Sequence, residues 1–206
     1  MSVSITRVLC GLVSENAYIV SADGRDDCFV VDPGDDHAAL SRALGERTVR
    51  AILLTHGHFD HIMAAGSLSE TTGAPVWVGA EDEEMLNDAA LNGYGLLMGE
   101  NRACWPTITA RPYEGPLSLC GMEVEVLSTP GHSRGSVCLY LRDEGVLFSG
   151  DTLFQAGYGR LDLYGGDMNA MIASLKALFA LPGNVRVYPG HGGETTIGAE
   201  KARYRL

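Results

Sequence analysis

An α/β fold is predicted for this chain of 206 residues by three features of its sequence. Short apolar strands alternate with segments of helical period, the strands fall into two sets, and four of them deliver a histidine or an aspartate at their C-terminal ends. The densest of these ends is Thr55-His56-Gly57-His58-Phe59-Asp60-His61, directly after the apolar run Ala51-Ile52-Leu53-Leu54. Open α/β sheets place ligands beyond the carboxyl ends of their strands, so polar side chains crowded there point to a site. His56 and His58, two apart in a still extended loop, can point one way, and Asp60 and His61 in the next turn can serve a neighbouring spot. Imidazole nitrogens and carboxylate oxygens suit zinc, iron or manganese, and the lack of thiolates argues against a closed structural zinc.

In chain order, residues 5–13, 17–21 and 28–31 form a predicted meander of antiparallel strands, separated by Ser14-Glu15-Asn16 and Ala22-Asp23-Gly24-Arg25. It ends on Asp32-Pro33-Gly34, where Asp32 either caps a turn or orients a liganding imidazole by accepting its other N–H. His37, in the helix-like stretch 36–46, is expected to be solvated. After the histidine loop, 62–72 is a predicted helix closed by Gly73, and 74–78 a strand. Residues 81–92 suit a helix whose acidic first turn complements the dipole. Periodicity then fails: 93–116 holds Gly, Asn, Pro and the aromatics Tyr94, Trp105 and Tyr113, a long loop or insertion over a site, with the aromatics either packing it down or facing substrate.

The second strand set begins at 122–128 and runs into Thr129-Pro130-Gly131-His132. Strands at 136–141 and 146–148 flank the turn Arg142-Asp143-Glu144-Gly145, and the latter leads into Gly150-Asp151. An amphipathic helix at 168–181 precedes a strand at 185–188, which delivers Pro189-Gly190-His191. Each end alone is weak, but together they use five of the six histidines.

Composition bounds the function. One domain with a sizeable core is expected from 46% hydrophobic residues. The formal net charge of -11 repels phosphate backbones, which argues against nucleic-acid binding. Five scattered cysteines without a C-x-x-C pair fit buried thiols in a reducing compartment. No basic, apolar leader opens the chain and no 18 apolar residues run together, so a soluble cytoplasmic protein without membrane partners is expected.

The histidine loop, followed in order by His132, Asp151 and His191, resembles the metallo-β-lactamase superfamily over nearly the whole chain. The resemblance implies a four-layer αβ/βα sandwich. It also implies that His56, His58 and His132 hold one divalent metal, Asp60, His61 and His191 a second, and that Asp151 bridges them. Within the superfamily, Gly150-Asp151-Thr152-Leu153-Phe154, Gly159-Arg160-Leu161-Asp162 and Tyr188-Pro189-Gly190-His191-Gly192 resemble the glyoxalase II-like hydrolases. Two departures stand out. Few residues follow His191, so the glutathione-binding helical domain of glyoxalase II is expected to be missing, and Arg160 and Asp162 stand where that enzyme has Lys and Tyr. Arg160, with Tyr158 and Tyr164, is the expected substrate-binding set, although Arg160 and Asp162 can equally form an ion pair.

The resemblance implies a dinuclear zinc hydrolase, with iron or manganese as other possible metals. Two ions roughly 3.5–4 Å apart generate a bridging hydroxide near neutral pH and polarise a carbonyl, and Asp60 is expected to help orient that hydroxide. A thioester is the natural small-molecule substrate, because a thiolate leaves without strong acid assistance. The Gly-Arg-x-Asp pattern also resembles the mononuclear iron persulfide dioxygenases, and a non-catalytic metal-binding module is the third possibility.

Overall fold

The computed structural model describes residues 2–11, 13–99 and 105–204. Two six-stranded mixed sheets face each other, with helices on both outer faces, so the α/β sandwich expected from the resemblance is the fold. The first sheet has the order β1 (Val3–Cys10), β2 (Glu15–Ala22), β3 (Asp27–Val31), β4 (Thr48–Leu53), β5 (Val76–Val78) and β6 (Ala110–Pro112). The first three strands pair antiparallel and the last four run parallel. The second sheet holds β7 (Leu117–Leu119), β8 (Met122–Ser128), β9 (Val137–Leu141), β10 (Val146–Gly150), β11 (Arg186–Pro189) and β12 (Thr195–Thr196). Its one parallel pair is β10 with β11.

Strand periodicity explains the layering. In β2 and β3, Tyr18, Val20, Phe29 and Val31 point between the sheets, where they meet Val124, Leu139 and Phe148 of the second sheet. The alternate residues Ile19, Cys28 and Val30 point outward to Leu40 and Leu44 of α1 (His37–Leu44) and Leu68 of α3 (Ala65–Thr72). Cys138 and Leu147 likewise face Met171, Leu175 and Leu178 of α5 (Met168–Leu178). Strands covered on both faces must be apolar throughout, and for that reason they stand out in the sequence as continuous runs.

Several boundaries differ from expectation. The first strand ends at Cys10 rather than at residue 13, because Gly11 turns the chain at φ +63. Glu15 and Asn16 begin β2 and are fully buried instead of forming a turn. The helix expected over 62–72 is two pieces, α2 (Phe59–Ile62) and α3, since the Ala64 N–H is drawn to the carbonyls of Pro33 and Gly34. Residues 80–85 form a 3-10 helix and 86–92 turns, not one α-helix. The 93–116 insertion contains α4 (Tyr94–Met98) and β6, and 100–104 lie outside the described residues. Its aromatics pack it down: Tyr94 and Trp105 are buried edge to face, and Tyr113 stacks on Trp77. α5 stops at Leu178, and α6 (Ile197–Lys201) closes the described fold. His37 is half-buried rather than solvated, with Nε2 shielded and unpartnered. Cys10, Cys28, Cys120 and Cys138 are buried free thiols, and Cys104 lies outside the described residues. No helix among the described residues is long and apolar enough to cross a membrane.

Candidate metal centre

The carboxyl ends of β3, β4, β8, β10 and β11 meet at one rim of the sandwich and bring Asp32, the histidine loop, His132, Asp151 and His191 together. Among the described residues three groups of donor atoms are each compact enough to share an ion: Asp32 with His56 and His61, and the two that the resemblance implies, His56, His58 and His132, and Asp60, His61 and His191. Asp151 lies between the last two. Its Oδ1 is 3.4 Å from His61 Nε2, and its Oδ2 is 3.5 Å from His132 Nε2 and 3.7 Å from His191 Nε2. Asp60 Oδ2 is 3.2 Å from His191 Nε2.

The buried polar atoms test whether a metal fits. His56 Nε2, His61 Nε2 and Asp151 Oδ1 are shielded from solvent with no hydrogen-bond partner, and His58 Nδ1 faces His132 Nε2 at 2.7 Å. The His132 Nδ1–H donates to the Arg160 carbonyl at 2.7 Å, so its Nε2 presents a lone pair to the cluster. Lone pairs crowded together without donors are costly unless a cation lies among them. Protonation agrees for most of the set. Burial, reinforced by neighbouring imidazoles, holds His56 far below its usual value and takes His58 to about 3, so both are neutral. Burial opposes ionisation of Asp60 and Asp151, but adjacent His61 overcomes it and keeps both below the usual carboxylate range. His61 is the exception: despite burial, Asp60, Asp151 and Asp32 raise it, and the proton it carries in the metal-free chain is one that a bound cation displaces. The donor set therefore fits metal ions.

Asp32 orients this cluster. It accepts from the Thr55 N–H at 2.7 Å, from Thr55 Oγ1 at 2.6 Å and from His61 Nδ1 at 3.0 Å. Asp32 is also close enough to His56 and His61 to be a donor itself, but both of its oxygens are engaged in these three bonds, which suits it to orienting the ligands. Its backbone sits at φ +48, a strained value for a non-glycine residue that the hydrogen bonds hold in place. Asp32→Ala is expected to lower metal affinity about 10–100-fold, as measured by competition with a chelator.

Other residues that position the site escaped the sequence reading. Asp82, fully buried, accepts from the Gly57 and Gly135 N–H groups at 2.9 and 2.6 Å and from Ser133 Oγ at 2.6 Å, tying the histidine loop to the loop carrying His132. Asp82→Ala leaves two buried N–H groups unpaired, so a loss of about 3 kcal/mol is expected in denaturant unfolding. Asn16 Nδ2 donates to the carbonyls of Pro189 and Gly192, and Tyr18 Oη to that of Pro189, fixing the His191 loop from the first sheet. Glu15 is buried 3.8 Å from His61 Nδ1 without a hydrogen-bond partner, and burial raises its carboxyl well above the usual range. The signals for Glu15 and Asn16 were present as polar residues opening an otherwise apolar strand.

A groove beside the cluster is lined by His58, Asp60, His132, Asp151 and His191, with Phe154, Arg160 and Leu163 among its walls. Arg160 reaches it, but its guanidinium is paired with both oxygens of Asp162 at 2.7 Å. Tyr158 and Tyr164 do not line it: Tyr158 packs near the Tyr204 ring, and Tyr164 donates to Glu84.

A sequence model of the Metallo-beta-lactamase superfamily matches residues 10–191. The chain belongs to that superfamily. Among superfamily relatives, "Probable metallo-hydrolase YqgX" of Bacillus subtilis is 38% identical, over 95% of this chain and 93% of that one. "Hydroxyacylglutathione hydrolase GloC" of Haemophilus influenzae is 33% identical, over 87% of this chain and 86% of its own. Two superfamily crystal structures are each 39% identical. BLEG-1 B3 metallo-beta-lactamase superposes with TM-score 0.89 over 97% of both chains. TTHA1623 in a di-iron-bound form superposes with TM-score 0.80 over 95% of this chain and 96% of its own. Superfamily membership and these relatives support a metallo-hydrolase.

Proposed function

We infer that the chain is a dinuclear metallo-hydrolase acting on thioesters in the manner of the glyoxalase II-like enzymes. The observation that carries this reading is the pair of donor groups with Asp151 between them, in which His56 Nε2, His61 Nε2 and Asp151 Oδ1 are buried without a hydrogen-bond partner. His56, His58 and His132 would hold one ion, Asp60, His61 and His191 the other, and Asp151 both. When bound, such ions supply Lewis acidity and a water that ionises near neutral pH. The residues of the chain set up that chemistry. Asp32 fixes the ring plane of His61, the Arg160 carbonyl fixes the tautomer of His132, and Asp82 locks the two ligand loops at a constant separation.

The all-nitrogen and oxygen donor set accommodates zinc as well as iron, and the di-iron-bound relative supports two ions in one such site. We place zinc first. GloC supports thioesters, whose thiolate leaving group needs no proton donor, and among the described residues no acid other than the ligand carboxylates lines the groove. The likeness to BLEG-1 favours a second reading, hydrolysis of a β-lactam amide.

The test is turnover of S-lactoylglutathione, of a β-lactam and of glutathione persulfide by metal-loaded protein, with and without oxygen. Thioester hydrolysis independent of oxygen supports the proposal. Turnover of the β-lactam alone favours the second reading, and oxygen consumption with the persulfide overturns both.

A further inference from the structure

Next to the groove, on the side of Asp60, lies a cavity of about 180 Å³. Val13, Phe59, Asp60 and Leu97 line both spaces, so the cavity is a continuation of the site. Its remaining walls include Met63, Tyr94 and Met98. Helix α4 builds one wall by its period: Tyr94, Leu97 and Met98 fall at i, i+3 and i+4 on one face. Tyr94 anchors that face in the core between Phe59 and Trp105, with ring centroids at 5.6 and 5.2 Å. Leu97 and Met98 are then held over the cavity while 53% and 45% exposed, and Val13 opposite them is 42% exposed. Three of the seven exposed large hydrophobics among the described residues therefore line this one cavity, a concentration that marks a binding surface.

Charge defines what fits there. Among the described residues the lining contains the carboxylates Asp35 and Asp60 and no cation, whereas Arg160, paired with Asp162, lines the groove but not the cavity. The two carboxylates disfavour an anionic moiety in the cavity, and its exposed Val13, Leu97 and Met98 suit an uncharged apolar group instead. A cavity of roughly 150 Å³ with apolar walls holds a benzene, so the space here matches a group of about six carbons.

We propose that this cavity is the acyl subsite, taking an apolar acyl group of about six carbons beside Asp60; the assignment rests on the thioester-hydrolase reading above. The acyl group enters between α4 and Val13, and the thiol portion lies along the groove.

The experiment is a series of acetyl, butyryl, hexanoyl and decanoyl thioesters of N-acetylcysteamine with the metal-loaded enzyme, its Met98→Glu variant and the conservative Met98→Leu. Wild type and Met98→Leu are expected to gain about fourfold in kcat/KM per methylene buried, levelling off beyond hexanoyl. In Met98→Glu that dependence on chain length is expected to be lost. A second readout does not need turnover: titration with hexanamide should shift the methyl resonances of Met63 and Met98 and leave those of the buried Met122 and Met171 in place. Thioester turnover that is indifferent to chain length, with no methyl shifts, overturns the subsite. Methyl shifts with no hydrolysis at any chain length overturn the hydrolase reading and the acyl assignment, while supporting an apolar ligand site here.

Discussion

Asp151→Ala is expected to lose metal and activity together, with metal content falling to one ion per chain or fewer and kcat/KM dropping more than about 100-fold, the upper range for residues that merely support a ligand. The reason is geometric. One carboxylate presents Oδ1 to His61 and Oδ2 to His132 and His191, so its removal takes an oxygen from each donor group at once. Asp151→Asn keeps the shape and discards the charge, and it is expected to fall with the alanine variant because ionised oxygens are what hold the ions. Metal analysis with steady-state rates checks both. Two ions retained at full turnover in either variant would remove Asp151 from the centre.

Gly190→Ala is expected to match that loss without touching a ligand. A Cβ at residue 190 falls closer than 3.0 Å to Asp151 Oδ1 and to His61 Cε1, so the methyl group must displace one of them or the backbone between. A misplacement of about 1 Å at such a centre costs on the order of 100-fold in rate, while overpacking costs only about 1–3 kcal/mol of stability. The variant should therefore remain folded by circular dichroism yet bind metal poorly. Wild-type metal affinity in Gly190→Ala would show that the His191 loop does not pack against the centre as described.

The sequence carried the strand ends well because the link there is local. An apolar run that stops on His132, Asp151 or His191 delivers that residue to the rim whatever the rest of the chain does. Residues whose meaning depends on distant partners were harder to read. Asp82 sits in the acidic run Glu81-Asp82-Glu83 and passes for a helix-dipole acid, and only its bonds to Gly57, Ser133 and Gly135 distinguish it. Glu15 and Asn16 have the composition of a turn, but docking of the Pro189 to Gly192 loop draws them into β2. In the 93–116 segment the helical period is confined to α4, too short to stand out, and Tyr94 and Trp105 join the first sheet's outer core through contacts no local pattern announces.

This rim of the sandwich is expected to hold two metal ions on nitrogen and oxygen donors. That expectation is tested most directly by the metal content of the purified protein after saturation with zinc or iron(II) and removal of excess, measured by plasma mass spectrometry against protein concentration. Two ions per chain in wild type, falling to one or none in Asp151→Ala, is the predicted result. A saturated wild type that holds a single ion, or none, contradicts it.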